Sequence, residues 1–107
     1  MQINKNKDIL SIEQIEETVR KYAAKYKPEK VILFGSYARG EATGESDLDF
    51  FVIGGPNFDP TDVLDLSEEL REAFGKGVDM FEACEIKPHT DMYRTIMKEG
   101  KLVAWNS

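Results

Sequence analysis

The fold is decided by residues 31–53, VILFGSYARGEATGESDLDFFVI. Val31-Ile32-Leu33-Phe34 is a short apolar run stopped by Gly35, the pattern of a buried strand. A polar connection from Ser36 to Ser46 leads to a second strand, Leu48 to Ile53, ended by Gly54-Gly55-Pro56. About a dozen residues join the two runs, too few for a helical crossover, so the strands are expected to pair antiparallel.

Working outward, Ser11-x-x-Gln14 fits a capping box, with Leu10 and Ile15 placed as a hydrophobic staple. Ile12, Ile15, Val19, Tyr22, Ala23 and Tyr26 then follow helical spacing as far as Pro28. Downstream, Asp59-Pro60 predicts a helix with proline at its first position, Val63, Leu66, Leu70 and Phe74 facing the core and Gly75 ending it. Val78 to Ala83 reads as a third strand. A helix separates strands two and three, so a right-handed crossover should make them parallel. Pro88 to Glu99 reads as the last helix, with Met92, Tyr93, Ile96 and Met97 inward, and Leu102 to Trp105 as a short final strand. The expected class is α/β (α+β), a small mixed β-sheet with flanking helices. Residues 1–107 are expected to form one domain, with residues 1–10 loosely ordered. This topology brings Gly35-Ser36, Asp47-Leu48-Asp49 and Asp79 to one sheet edge.

Composition sets the boundaries. The 107 residues are 41% hydrophobic and 10% aromatic, enough for one core and too apolar for a disordered chain. No stretch approaches the ~20 apolar residues of a membrane span, and Met1 to Asp8 is too polar and mixed in charge for a signal peptide. Cys84, the single cysteine, excludes an internal disulfide, and no Cys/His cluster offers a zinc site. A reducing cytoplasm is the expected location, with Cys84 a small buried hydrophobe, His89 at the surface and Trp105 used in packing. The net charge is −6, with residues 1–30 carrying +2 and residues 31–107 carrying −8. A body so acidic repels nucleic acid, so no direct nucleic-acid or membrane partner is expected. Clustered carboxylates suit divalent cations instead.

Asp47 and Asp49 lie two apart on a strand, so both carboxylates project from one face while Leu48 and Phe50 enter the other. Such a pair repels unless a cation lies between, and hard ions such as Mg²⁺ take oxygen ligands while keeping positions open for phosphates. An isolated D-x-D is more often a solvated strand start. Gly35 permits close approach of a ligand or another backbone. The N–H groups beyond it, with the Ser36 hydroxyl, can cradle a phosphate. Read alone, they are equally a tight turn with an N-cap serine.

Taken together, Phe34-Gly35-Ser36-Tyr37-Ala38-Arg39-Gly40 and Ser46-Asp47-Leu48-Asp49, with ten residues between Ser36 and Asp47, resemble the signature of polymerase-beta-type nucleotidyltransferases. The Ala-Arg-Gly variant on a short chain resembles the minimal nucleotidyltransferase (MNT) family, whose members are typically antitoxins encoded beside a HEPN-domain toxin. The resemblance spans residues 11–105. It implies a third carboxylate on the following core strand, where Val78-Asp79-Met80 fits, so Asp47, Asp49 and Asp79 are the candidate catalytic and metal-ligating residues. Glu82 lies three residues beyond Asp79 and points to the opposite face. Gly35 and Ser36 are the candidate nucleotide-binding residues, joined by Arg39, which can reach a phosphate bidentately or pair with Glu41 or Glu45. Gly40 is expected to end the turn in a left-handed conformation.

The implied chemistry is Mg²⁺-dependent transfer of AMP from ATP, with two ions, to a tyrosine of a cognate HEPN ribonuclease toxin in a hetero-oligomer. The alternatives are a binding-only antitoxin and a small-molecule nucleotidyltransferase. The small-molecule relatives generally carry an additional helical acceptor domain.

Overall fold

Strands β1 (Lys30–Phe34) and β2 (Leu48–Ile53) pair antiparallel, with Phe34 opposite Asp49 and Leu33 opposite Phe50. This computed structural model describes residues 6–105. Helix α1 (Ile12–Ala23) precedes the pair, and the single turn α2 (Ser36–Arg39) follows β1. Helix α3 (Asp62–Phe74), strand β3 (Val78–Glu82), helix α4 (Asp91–Glu99) and strand β4 (Lys101–Trp105) complete the chain. The sheet order is β3-β2-β1-β4, with β2 and β3 parallel and β4 antiparallel to β1. The mixed sheet and both expected pairings are therefore present.

Strand alternation sends two sets of side chains to opposite faces. Val31, Leu33, Leu48, Phe50, Val52 and Val78 join Ile15 and Val19 of α1 and Leu66 and Leu70 of α3 in the main core. The second face buries Phe34, Phe51, Ile86 and Ile96, with Phe81 and Tyr93 packed against them. Tyr93 meets Phe51 edge-on at 6.2 Å between ring centroids. Burial on both faces explains why β2 reads as a nearly continuous apolar run, as parallel-paired central strands do.

The capping box of α1 is formed as expected: the Gln14 N–H donates to Ser11 Oγ at 3.1 Å and the Ser11 N–H to Gln14 Oε1 at 2.9 Å. Helix α3 begins two residues later than its sequence suggests, at Asp62 with Thr61 as N-cap. Asp59 Oδ1 accepts from both the N–H and hydroxyl of Thr61, at 3.0 and 2.8 Å. That side-chain turn holds Asp59-Pro60-Thr61 outside the helix. Helix α4 starts at Asp91 rather than Pro88, because His89 stands at φ 74° and Thr90 caps the helix through the Tyr93 N–H. Of the four α4 residues expected inward, Ile96 is buried and Tyr93 half-buried, whereas Met92 and Met97 are exposed. One edge of a short helix meets the sheet, so its apolar stripe is narrower than its composition implies.

Cys84 is exposed, not buried: β3 ends at Glu82 and Cys84 falls in the turn Ala83–Glu85. Trp105 does pack, with the Arg20 guanidinium 4.4 Å above its ring, while remaining half exposed. Residues 6–10 lack regular structure and make contacts with the rest of the fold. Asn6 donates its N–H to Gly75 O at 3.0 Å and its Nδ2 to Phe74 O at 3.1 Å, and Leu10 packs on the main core. Residues 1–5 of the segment expected to be loosely ordered lie outside the described residues.

Candidate active site

The antiparallel turn from β1 to β2 and the parallel step from β2 to β3 place the C-terminal end of β1 and the N-terminal ends of β2 and β3 at one edge. Asp49 stands in register with Asp79 on β3 and with Phe34 on β1. Asp49 is half-buried; Asp79 is exposed. Burial first, then the charges of Asp79 and Asp47, push the Asp49 carboxyl up to about 6, with Arg39 pulling the other way. This edge therefore holds more negative charge than its surroundings solvate well.

Asp47 precedes β2 and lies against Gly77: a Cβ on Gly77 would fall 2.4 Å from Asp47 Oδ1. Gly77 also accepts the Leu48 N–H at 2.9 Å, fixing the start of β2 beside the start of β3. Gly35 plays the matching part on the other side. It stands at φ 78°, and a Cβ there would fall 2.4 Å from Asp49 Oδ2. A side chain would thus meet the central carboxylate and strain the backbone together. Helix α2 starts at the next residue, so the half-buried Ser36 and the first-turn N–H groups lie at the edge that carries the aspartates. Gly40 ends α2 at φ 73°, the left-handed turn its position suggests, and Tyr37 is buried with its hydroxyl accepting the Leu10 N–H at 3.4 Å.

Arg39 is exposed and paired on both sides. Nε donates to Glu41 at 3.0 Å, and a terminal guanidinium nitrogen to Glu99 of α4 at 3.3 Å. Its positive charge still reaches Asp49. Glu82 faces away from the aspartates, buried, and accepts from the Gly54 and Cys84 N–H groups at 3.4 and 2.6 Å. It caps the turn after β3.

Sequence reading passed over Gly77 and its neighbour Lys76, which is fully buried. The available signal was Gly75-Lys76-Gly77 immediately before β3, a pattern permitting close backbone approaches on both sides of one residue. Among the described residues, no three carboxylate, imidazole or thiolate side chains already converge into a chelating cluster. The donor set nonetheless fits a hard divalent cation. It offers oxygen ligands only, it is held at one edge, and its central member is raised by burial and then by the neighbouring carboxylates, whose repulsion a cation would relieve.

Residues 13–107 match the family described as polymerase beta, nucleotidyltransferase. The chain belongs to that family. This nucleotidyltransferase is 36% identical over 95 residues to a Methanocaldococcus jannaschii protein named "putative protein adenylyltransferase", spanning 83% of this chain and 93% of that relative. Its fold is similar to a solved structure named "putative minimal nucleotidyltransferase" at 27% identity and a TM-score of 0.71, covering 86% of this chain and 95% of the other. The fold also recurs in a complex of a tri-AMPylated Shewanella oneidensis HEPN toxin with an MNT antitoxin. There the TM-score is 0.67 and the identity 21%, over 89% of this chain and 73% of the matched one.

Proposed function

We propose that this nucleotidyltransferase is an antitoxin that transfers AMP from ATP to a tyrosine of a cognate HEPN ribonuclease toxin. The observation that carries the reading is the Asp49–Asp79 pair, held in register beside Gly35-Ser36 at an open sheet edge. An adenylyltransferase name on a 36% identical relative, and the AMPylated toxin in a complex of the same fold, support the acceptor class.

Asp47, Asp49 and Asp79 would hold Mg²⁺, as two ions. Bound there, Mg²⁺ would neutralise triphosphate charge and lower the pKa of the attacking hydroxyl. Each of this chain's own groups has a separate task. Ser36 Oγ and the first-turn N–H groups of α2 donate to the triphosphate. Gly35 keeps the space beside Asp49 free of a side chain. Arg39, exchanging its surface carboxylates for a phosphate, orients the leaving pyrophosphate. Asp79, exposed like Asp47, accepts the proton of the tyrosine hydroxyl, whose free pKa is near ~10. The tyrosine oxygen attacks the α-phosphorus, the bond to pyrophosphate breaks, and AMP remains on the tyrosine.

The acidic body suits a basic ribonuclease surface, and the added phosphate places negative charge where that enzyme must bind RNA. Incubation with ATP, Mg²⁺ and the product of the neighbouring gene tests the reading by intact mass. The partner should gain whole AMP units on tyrosine and lose ribonuclease activity in step. Inhibition by an unmodified stoichiometric complex would instead indicate a binding-only antitoxin. An unaffected partner would leave a small-molecule acceptor.

A further inference from the structure

Lys76 is fully buried in a protein whose other buried polar or charged side chains, among the described residues, are Ser67 and Glu82. Burying an ammonium is costly unless its donors are used. Lys76 Nζ donates to two backbone carbonyls, Asn6 O at 2.8 Å and Gly44 O at 3.0 Å. These belong to chain segments far apart in sequence, the stretch before α1 and the loop leading into Asp47.

The surrounding glycines draw the same strands of chain together. A Cβ on Gly44 would fall 2.2 Å from Lys7 O, and one on Gly75 would fall 3.1 Å from Asn6 Cβ. On the other side of Lys76, Gly77 touches the Asp47 carboxylate. The loop between is itself short and internally bonded, with the Ser46 N–H donating to Thr43 O at 3.1 Å and the Thr43 N–H to Ser46 Oγ at 2.9 Å. A pull at Gly44 is therefore transmitted to Asp47 three residues later.

We infer that Lys76 is a positioning residue for the nucleotidyl-transfer site: its buried ammonium clamps the Gly44 loop and the Asn6 segment so that Asp47 is held against Gly77. The inference rests on the assignment of Asp47 as a metal-site carboxylate under the proposed function. Supports of this kind, one step behind a ligand, typically govern metal affinity by about 10–100-fold.

The test uses the full chain with Lys76→Met, which keeps an unbranched apolar side chain but removes the charge and all three donors. Two readouts separate the inference from the proposed function. Without metal or nucleotide, amide exchange at Leu48 and Ser46 should quicken relative to amides in α1, as the Gly44 loop loosens. With ATP present, the Mg²⁺ concentration needed for half-maximal nucleotide binding by calorimetry should rise about tenfold, while binding at saturating Mg²⁺ approaches that of the unaltered protein. Lys76→Gln, able to donate to one carbonyl, should fall between the two. Loosened exchange with no Mg²⁺-dependent ATP binding even in the unaltered protein would contradict the proposed function and leave the clamp standing. Unchanged exchange and Mg²⁺ requirement in a folded Lys76→Met protein would overturn the inference. So would the collapse of both variants, which would assign Lys76 to holding the fold as a whole.

Discussion

Asp49 and Asp79 face each other directly across the parallel pairing of β2 and β3. Neighbouring parallel strands lie about 4.8 Å apart, and burial of Asp49 first, then the charges of Asp79 and Asp47, disfavour its ionised form. Because its folded-state carboxyl is raised from 3.8 to about 6, the folded chain holds that proton more tightly than the unfolded chain does. Asp49 thus weakens the metal-free protein progressively as pH rises from about 4 through 6.

Asp49→Asn should accordingly stabilise the metal-free protein at pH 7 by on the order of 1 kcal/mol, the full shift being discounted because the group is only half-buried. The gain should shrink as pH falls and vanish below about 4, where the native carboxyl is neutral in both states. Thermal melts of both proteins across pH 3.5–8 check this; a gain independent of pH would contradict it.

In the wild-type protein the same titration should appear in metal binding. Mg²⁺-dependent ATP affinity should fall as pH drops through about 6, since a protonated Asp49 is a poor ligand. Calorimetric titrations at pH 5 and 7.5 should differ accordingly. Equal affinities would place the metal away from Asp49.

Two glycines of similar φ should respond differently to alanine. Gly40→Ala should cost about 1–2 kcal/mol, the strain of a left-handed alanine, and leave nucleotide binding intact, because nothing lies within 4 Å of the new methyl. Gly35→Ala is strained further, because φ 78° with ψ −155° is a conformation that essentially only glycine adopts, and it also drives a methyl into Asp49, so it should cost more and abolish Mg²⁺-ATP binding. Chemical denaturation with parallel ATP titration distinguishes them.

Asp79→Asn should keep much of the ATP affinity yet lose transfer, whereas Ser36→Ala should weaken ATP binding and slow transfer less. Single-turnover rates beside binding constants resolve the split. Transfer by Asp79→Asn at the wild-type rate would make Asp79 structural.

The β1–turn–β2 segment was legible because its signals are local: an apolar run, a stopping glycine, a polar loop and an alternating D-x-D. Asp79 was harder, since its place beside Asp49 depends on the crossover made by α3, and the parallel register bears that placement out. The start of α3 was misread because Asp59 bonds forward to Thr61, a side-chain choice that sequence leaves open. Met92 and Met97 look like core residues by composition, but only packing decides how wide a stripe of α4 meets the sheet. Lys76 was invisible for a different reason. A buried ammonium is tolerated only where carbonyls from remote segments converge, and neither Asn6 nor Gly44 announces that in its neighbourhood.

The most direct test of the account is the fate of the two ends of ATP. With Mg²⁺ and the HEPN partner present, label in the α-phosphate should become covalently attached to the partner's tyrosine, while label in the γ-phosphate should leave as pyrophosphate. An Asp47→Asn, Asp49→Asn double variant that remains folded should do neither. Attachment of the γ-label, or silencing of the partner by the double variant with no label attached, would contradict adenylyl transfer by this trio of aspartates.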